Sequence, residues 1–498
     1  MKTRSYFSPA VLVAAMPLSL LACGPDTEAG GGTGSATGST SSEVPTPLTA
    51  DDSETGVTPS GVDTSGSGTV GATSLDGSST SDGGDTGTTA GSESTGTTTG
   101  APPQDPADAQ AMPIVRLRDV CTALDGGGSQ RCCMASVCSD DYEEAITCFT
   151  DTIQDAAIDG GDTALLDIVF VVDNTTDTAS MQRALALRSP QIVTALQGLT
   201  TGGGADLNAN VNMLVTTTDF GNPLCTPFQP GPPEAGAPVS SACTDRLGAF
   251  TSLGGGQVAP EACTDVCPNG AVPDDDFVNF NVGGDNVSDV DVVDIDGDGI
   301  SDTATSQALA CLLPQGLDGC GYEAPLESML QSLNPGAAWN SGPTPFLRPG
   351  ANLAVVVLTN EPDCSVQDYS IMQDAALQNT NPATGMSQPS SAICWNAGVT
   401  CDGPDGMGVY DNCSPTIDEG LQPITRYTNY LVDQLGTVSG KEVVMLVLGG
   451  VSEEGIDATV IHDWVDEDLN MADVAAGVTA ADKQFGFGIG PACGGSTR

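Results

Sequence analysis

The chain has 498 residues, with 13 Lys and Arg against 65 Asp and Glu, one histidine and a formal net charge of −52. A charge of that sign and size excludes nucleic acid and anionic membrane surfaces as electrostatic partners, and it favours cations and basic surfaces. The single histidine excludes multi-histidine zinc sites.

The N-terminus reads as an export signal over residues 1–22. Lys2 and Arg4 precede an apolar run from Val11 to Leu21, too short for a spanning helix of about 20 apolar residues. Leu20, Leu21 and Ala22 lead into Cys23, a stretch that resembles the lipobox of bacterial lipoproteins. The resemblance implies cleavage before Cys23 and lipid attachment to its sulfur. With Gly24 rather than Asp following, it also implies sorting to the outer membrane or cell surface. A plain secretory signal that happens to contain a cysteine is the alternative. Acyl chains, at about 0.8 kcal/mol per buried CH₂, would tether the protein without a membrane-spanning segment.

Residues 23–111 are expected to be a disordered linker. Between Gly24 and Ala111 there is no aromatic residue, Lys or Arg, so too little apolar area is available to offset the entropy of ordering. A Gly-rich tether of this length spans roughly 50 Å at ~5–6 Å × √n. The 17 cysteines agree with an oxidising compartment. Giving Cys23 to lipid leaves an even number. Cys225, Cys243, Cys263 and Cys267 form one local group, Cys311 and Cys320 a second, and Cys364, Cys394, Cys401 and Cys413 a third. Cys493 is then expected to pair with one of Cys121, Cys132, Cys133, Cys138 and Cys148 at the front.

Folding is expected from residue 112 onward. A Cys-rich segment, 112–160, carries a predicted helix over Asp141–Thr152. In the main domain, 161–498, the runs Leu165–Val172, Val211–Thr216, Leu353–Leu358 and Glu442–Leu448 are short and β-branched. They predict strands buried on both faces of a parallel sheet. Helical patterns over Ser180–Leu199, Ala324–Leu333 and Ile424–Leu435 alternate with them, the last with Tyr427, Tyr430 and Leu431 at core-facing spacing. The predicted class is α/β, a doubly wound, mostly parallel sheet. Two Gly/Pro/Asp-rich stretches, about 220–310 and 361–415, are expected to be disulfide-stapled insertions.

Three strands run into oxygen-rich ends: Asp173 to Asp177, Thr216 to Asp219, and Thr359 to Asp363. In a parallel sheet these ends share the edge where open α/β sheets bind ligands. Carboxylates and hydroxyls suit a hard cation such as Mg²⁺.

Ile168 to Asp177, followed by Met181 and Gln182, resembles the opening of a von Willebrand factor A domain. In that family a D-x-S-x-S motif builds a metal-ion-dependent adhesion site. Gly321-Tyr322-Glu323 with the helix after it, and Thr359 to Ser365, resemble segments of bacterial lipoproteins that carry such domains. The similarity spans most of 164–450 between the insertions. It implies a metal set of Asp173, Thr175, Asp177, Asp219, Glu323, Asn360 and Asp363. The pattern is altered: Asp177 replaces the second serine, Asn360 replaces an aspartate, and no clear match stands for the metal-binding threonine. Either the site is re-tuned, with Asp177 and Asp363 as added carboxylates, or it has lost its metal and its acids cap helices. Residues 113–156 resemble the C-terminal segment of these lipoproteins, which would make the front segment a permuted end of the main domain.

A second cation motif is Asp294-x-Asp296-x-Asp298-Gly299-Ile300-x-Asp302. Three carboxylates at alternate positions, the Ile300 carbonyl and Asp302 fit a Ca²⁺ loop, similar to thrombospondin type-3 or dockerin repeats. A solvated acidic turn is the alternative. No G-x-S-x-G motif accompanies His462, and Asn174-Thr175 places no second aspartate two residues after Asp173, which counts against a D-x-D-x-T phosphohydrolase. The expectation is therefore not an enzyme. It is a surface lipoprotein whose domain binds an extracellular protein or glycan with a cation's help. A calcium-stabilised structural envelope protein is the runner-up, and a metal-dependent hydrolase comes third.

Overall fold

The four β-branched runs become the centre of one sheet, since strands apolar on both faces must be covered on both. A computed structural model describes residues 114–126, 129–137, 142–176, 178–253, 257–288, 290–380, 387–388, 392–402, 409–416, 420–450 and 460–461. The export signal, Cys23, the linker over 24–111, Cys138, Asp177, His462 and Cys493 lie outside the described residues.

Chain order is α1 (Val115–Thr122), β1 (Cys132–Ser136), α2 (Glu143–Asp159), β2 (Leu165–Val172), α3 (Ala179–Leu187), α4 (Ser189–Gln197), β3 (Asn210–Thr217), α5 (Glu261–Thr264), β4 (Val278–Asn281), β5 (Gly284–Asp285), α6 (Ala304–Leu312), α7 (Pro325–Ser332) and β6 (Asn352–Leu358). Then come β7 (Asn379–Thr380), β8 (Ser387–Gln388), α8 (Ala392–Gly398), β9 (Val399–Asp402), β10 (Val409–Pro415), α9 (Ile424–Thr428), β11 (Val443–Gly449) and β12 (Val460–Ile461). A π-helix over Asn429–Val438 continues α9.

The main sheet has seven strands in the order β1-β11-β6-β2-β3-β4-β5. The first five run parallel, with register pairs such as Phe170↔Val356 and Phe170↔Val215. β4 and β5 add antiparallel at the β3 edge. The chain is therefore α/β with a mostly parallel sheet. Alternate side chains point to opposite faces. Ile168, Phe170 and Val172 of β2 pack with Phe149 and Ile153 of α2, Leu185 of α3 and Leu309 of α6. Val169 and Val171 pack with Leu117 of α1, Leu326 and Met329 of α7, and Tyr427 and Leu431. Burying one such side chain contributes about 1.5–3 kcal/mol.

The front segment is part of this sheet. β1 lies beside β11, from Cys132↔Met445 to Ser136↔Gly449, and α2 runs to Asp159, beyond the predicted end at Thr152. The helix predicted over Ser180–Leu199 is two helices. Pro190 stands in the first turn of α4, and a proline has no N–H to continue the ladder from α3. The 220–310 stretch is more than an insertion, because it supplies β4 and β5.

The disulfides correct the local grouping. Cys225 pairs with Cys320 and Cys267 with Cys311, so the first two groups are cross-linked, with Cys243–Cys263 inside the first. The third group stays local as Cys364–Cys394 and Cys401–Cys413. At the front, Cys121 pairs with Cys132 and Cys133 with Cys148.

Candidate functional site

β3 follows β2 on one side of the sheet, while β6 and then β11 lie on the other. The chain therefore reverses direction at β2–β6, where open α/β sheets form a crevice at the strand C-termini. Asp173 follows β2 at that point and is fully buried. Its Oδ1 accepts from the Thr175 amide at 2.9 Å and the Thr175 hydroxyl at 2.6 Å. Its Oδ2 accepts from the Thr359 hydroxyl at 2.8 Å, which bridges the ends of β2 and β6. Gln182 of α3 donates to the Asp173 carbonyl at 2.8 Å and so ties the helix to the loop.

Glu323, just before α7, is also fully buried. Neither of its oxygens has a hydrogen-bond partner among the described residues. Burial holds its carboxyl well above the usual carboxylate range, and the like charges of Asp173, Glu361 and Asp219 push it the same way. Two ionised carboxylates can only accept, so Glu323 and Asp173 can share a hydrogen bond only when one holds a proton. The Thr218 hydroxyl after β3 is buried and likewise has no partner among the described residues. Asp219 is buried, accepts from the Gly221 amide at 3.1 Å and from the Gln229 side chain, and is raised by burial, with Glu234 adding to it. Asn360 is buried on the Thr359–Asp363 loop.

The buried carboxyl of Glu323, with like charges around it, and the hydroxyl of Thr218, whose carbonyl accepts from the Ala324 amide at 2.9 Å, suit a hard cation in their donor chemistry. Asp173, Thr175, Thr218 and Glu323 are the residues that would hold it. Asp363 has other partners. Its Oδ2 receives Arg116 Nε at 2.9 Å, and its Oδ1 receives the Leu326 amide and Ser365 hydroxyl at 3.2 and 2.7 Å. It neutralises a buried arginine and caps the start of α7. Asp177 is outside the described residues.

Sequence reasoning passed over Thr218 and Glu361. The signal for Thr218 was its place in the hydroxyl run that ends β3. Glu361 lay inside the Thr359–Asp363 stretch but was assigned no role.

The second motif, unlike the Asp173 edge, draws three carboxylates together. Single carboxylate oxygens of Asp294, Asp296 and Asp302 lie within 4.8 Å of one another, the only such carboxylate trio among the described residues. Asp294 accepts from the amides of Gly297 and Gly299 at 2.7 and 2.9 Å, and Gly299 has φ +86°, which a side chain rarely tolerates. Asp298 instead accepts from the Ile300 amide at 2.7 Å. Burial and the neighbouring aspartates raise Asp302.

Comparison with family models, curated proteins and solved structures returns no match to this chain.

Proposed function

We propose that this protein is an envelope-anchored lipoprotein, lipidated at Cys23, whose von Willebrand factor A-like α/β domain binds an extracellular protein or glycan. Binding is helped by a hard cation, Mg²⁺ or Ca²⁺, at the Asp173 edge. One observation carries the reading: Glu323 is a fully buried carboxyl with no donor among the described residues, set among acids at the crevice of a parallel sheet. Evolution seldom leaves such a group unsatisfied without a functional reason. A bound cation supplies the missing charge and offers a coordination position to an acidic or hydroxyl-bearing ligand. The front segment then completes the domain as a permuted end, since β1 extends the sheet beside β11.

Ca²⁺ at Asp294, Asp296 and Asp302 is a separate, structural role. That trio favours the second reading, a calcium-stabilised envelope protein, should the Asp173 edge bind nothing. Thermal unfolding of the oxidised protein in EDTA, Mg²⁺ and Ca²⁺ decides between them. A cation response lost in Asp173→Ala supports the binding edge. A calcium response lost only in Asp296→Ala, with Asp173→Ala behaving as wild type, leaves the structural reading alone.

A further inference from the structure

A cleft of about 330 Å³ opens next to the acid edge, at the lower end of the roughly 300–1,000 Å³ typical of ligand sites. Asp219, Glu234, Asp245 and Asp318 stand in its wall with one cation, Arg246. Arg246 feels the charges of Glu234, Asp318 and Asp245 and offsets part of them, without a direct ion pair to any of the three. Its two terminal nitrogens donate to the main-chain oxygens of Pro314 and Gln315, at 3.1 and 3.0 Å. Four carboxylates against one guanidinium leave an excess of negative charge. Two buried amides, Asn174 at 5% and Gln315 at 2% exposure, also line the cleft. Each keeps a side-chain oxygen without a partner among the described residues. The wall is rich in acceptors and short of donors. Burial raises Asp318; Glu234 and Asp219 add to the effect and Arg246 opposes it, so an entering cation would act in the same direction as Arg246. Cys225–Cys320 joins the loop that carries Asp219 and Glu234 to the one that carries Asp318, which fixes the two walls together.

The carboxylates of the cleft are too far apart to close on a bare metal ion. Ca²⁺ needs its oxygens at about 2.3–2.6 Å, and no three carboxylates of this wall approach one another closely enough to be its ligands. A longer organic cation, with donors spread over several atoms, matches separated acceptors. Phe228, 76% exposed, directly precedes Gln229 of the wall, and Leu224 on the same loop is 37% exposed. Exposed apolar residues beside such a cleft suit a protein surface better than a free amine, because aromatic anchors are typical of protein interfaces.

We infer that this cleft receives a lysine or arginine side chain of a partner protein, its cationic head held by Asp219, Glu234 and Asp318. The inference rests on the reading of this face as the ligand-binding edge and names the partner's chemistry, but it needs no metal at Asp173. The test is calorimetric titration of the oxidised protein, in EDTA, with arginine- and lysine-centred blocked tripeptides, the neutral citrulline counterpart, and agmatine as a free amine. Saturable binding of a basic tripeptide is expected, with the citrulline peptide weaker by about tenfold or more. Glu234→Gln and Asp318→Asn, each checked for an unchanged melting transition, are expected to weaken it similarly, and Phe228→Ser to weaken the tripeptide but not agmatine. Equal binding of the citrulline peptide, or no binding of either basic peptide, overturns the inference. Agmatine binding more tightly than the peptides, untouched by Phe228→Ser, overturns the protein partner in favour of a small amine. Peptide binding that survives while Mg²⁺ leaves the melting transition unmoved would remove the metal edge alone, and the reverse result would remove this cleft alone.

Discussion

Asp167 and Asp173 stand at opposite ends of one strand, both fully buried, in opposite electrostatic surroundings. Asp167 receives Arg348 Nε and the Arg348 amide at 2.7 Å each, with Lys441 at 4.0 Å. Burial still pushes it up to about 6, and the two cations oppose that rise. Asp173 is met by hydroxyls and an amide, and its charged neighbours include the carboxyl of Glu323. At one end the chain supplies its own counter-charge. At the other, the buried Glu323 carboxyl meets no donor among the described residues. The proposed cation site rests on this asymmetry.

The largest effect should come from breaking the matched end. Arg348→Ala leaves Asp167 buried without its main partner and is expected to cost about 3–5 kcal/mol in urea unfolding. A loss below 1 kcal/mol would mean that Asp167 is not held by its cation, and the contrast between the two ends would fail. The next effect belongs to the unmatched end. Mg²⁺ at a hundred times its dissociation constant should stabilise the protein by about 2.7 kcal/mol, and Asp173→Ala should abolish that gain.

The third prediction is a pH dependence. The folded pKa of Glu323 lies above its unfolded value, so the native state binds this proton more tightly. Its contribution to stability is complete below the unfolded pKa and is lost as pH rises through the folded one. In EDTA the protein should therefore lose stability as pH rises above the usual carboxylate range, by up to about 1.4 kcal/mol per pH unit for one proton. Glu323→Gln should flatten the curve, and Mg²⁺ should flatten it in the wild type by taking the proton's place. Identical slopes for wild type and Glu323→Gln in EDTA would show that no proton sits there.

How much of this was legible depended on the range of the interaction. The core strands were readable because Leu165–Val172 and its parallel neighbours are buried along nearly their whole length, and a continuous β-branched run has few other uses. Even so, Pro190 was a visible break that the helical periodicity around it masked. β4 and β5 went unseen because they are short, and Val278–Asn281 alternates buried and half-buried residues over only four positions. Asp173 was legible as the residue ending a strand, and Asp294 to Asp302 by spacing alone. The partners of Asp363 were not, because Arg116 lies 247 residues away in sequence. Nor was the cleft, whose walls meet through a disulfide with a separation of 95 residues, Cys225–Cys320.

The smallest effect separates buried from exposed acids. Asp294 and Asp296 are exposed and Asp302 half-buried, so water screens their repulsion in a way it cannot screen Glu323. Each also accepts a loop amide: Asp294 from Gly297, Asp296 from Asp298 at 3.2 Å, and Asp302 from Ile295 at 2.7 Å. The loop can therefore hold its shape without metal, and in EDTA Asp296→Ala should change stability by no more than about 0.5 kcal/mol. In Ca²⁺ the two proteins should diverge, because only the wild type gains from an ion that binds the folded loop alone. Matching melting curves in Ca²⁺ would make this a solvated acidic turn. The proposed cation site at the Asp173 edge, built on buried acids, would then stand alone.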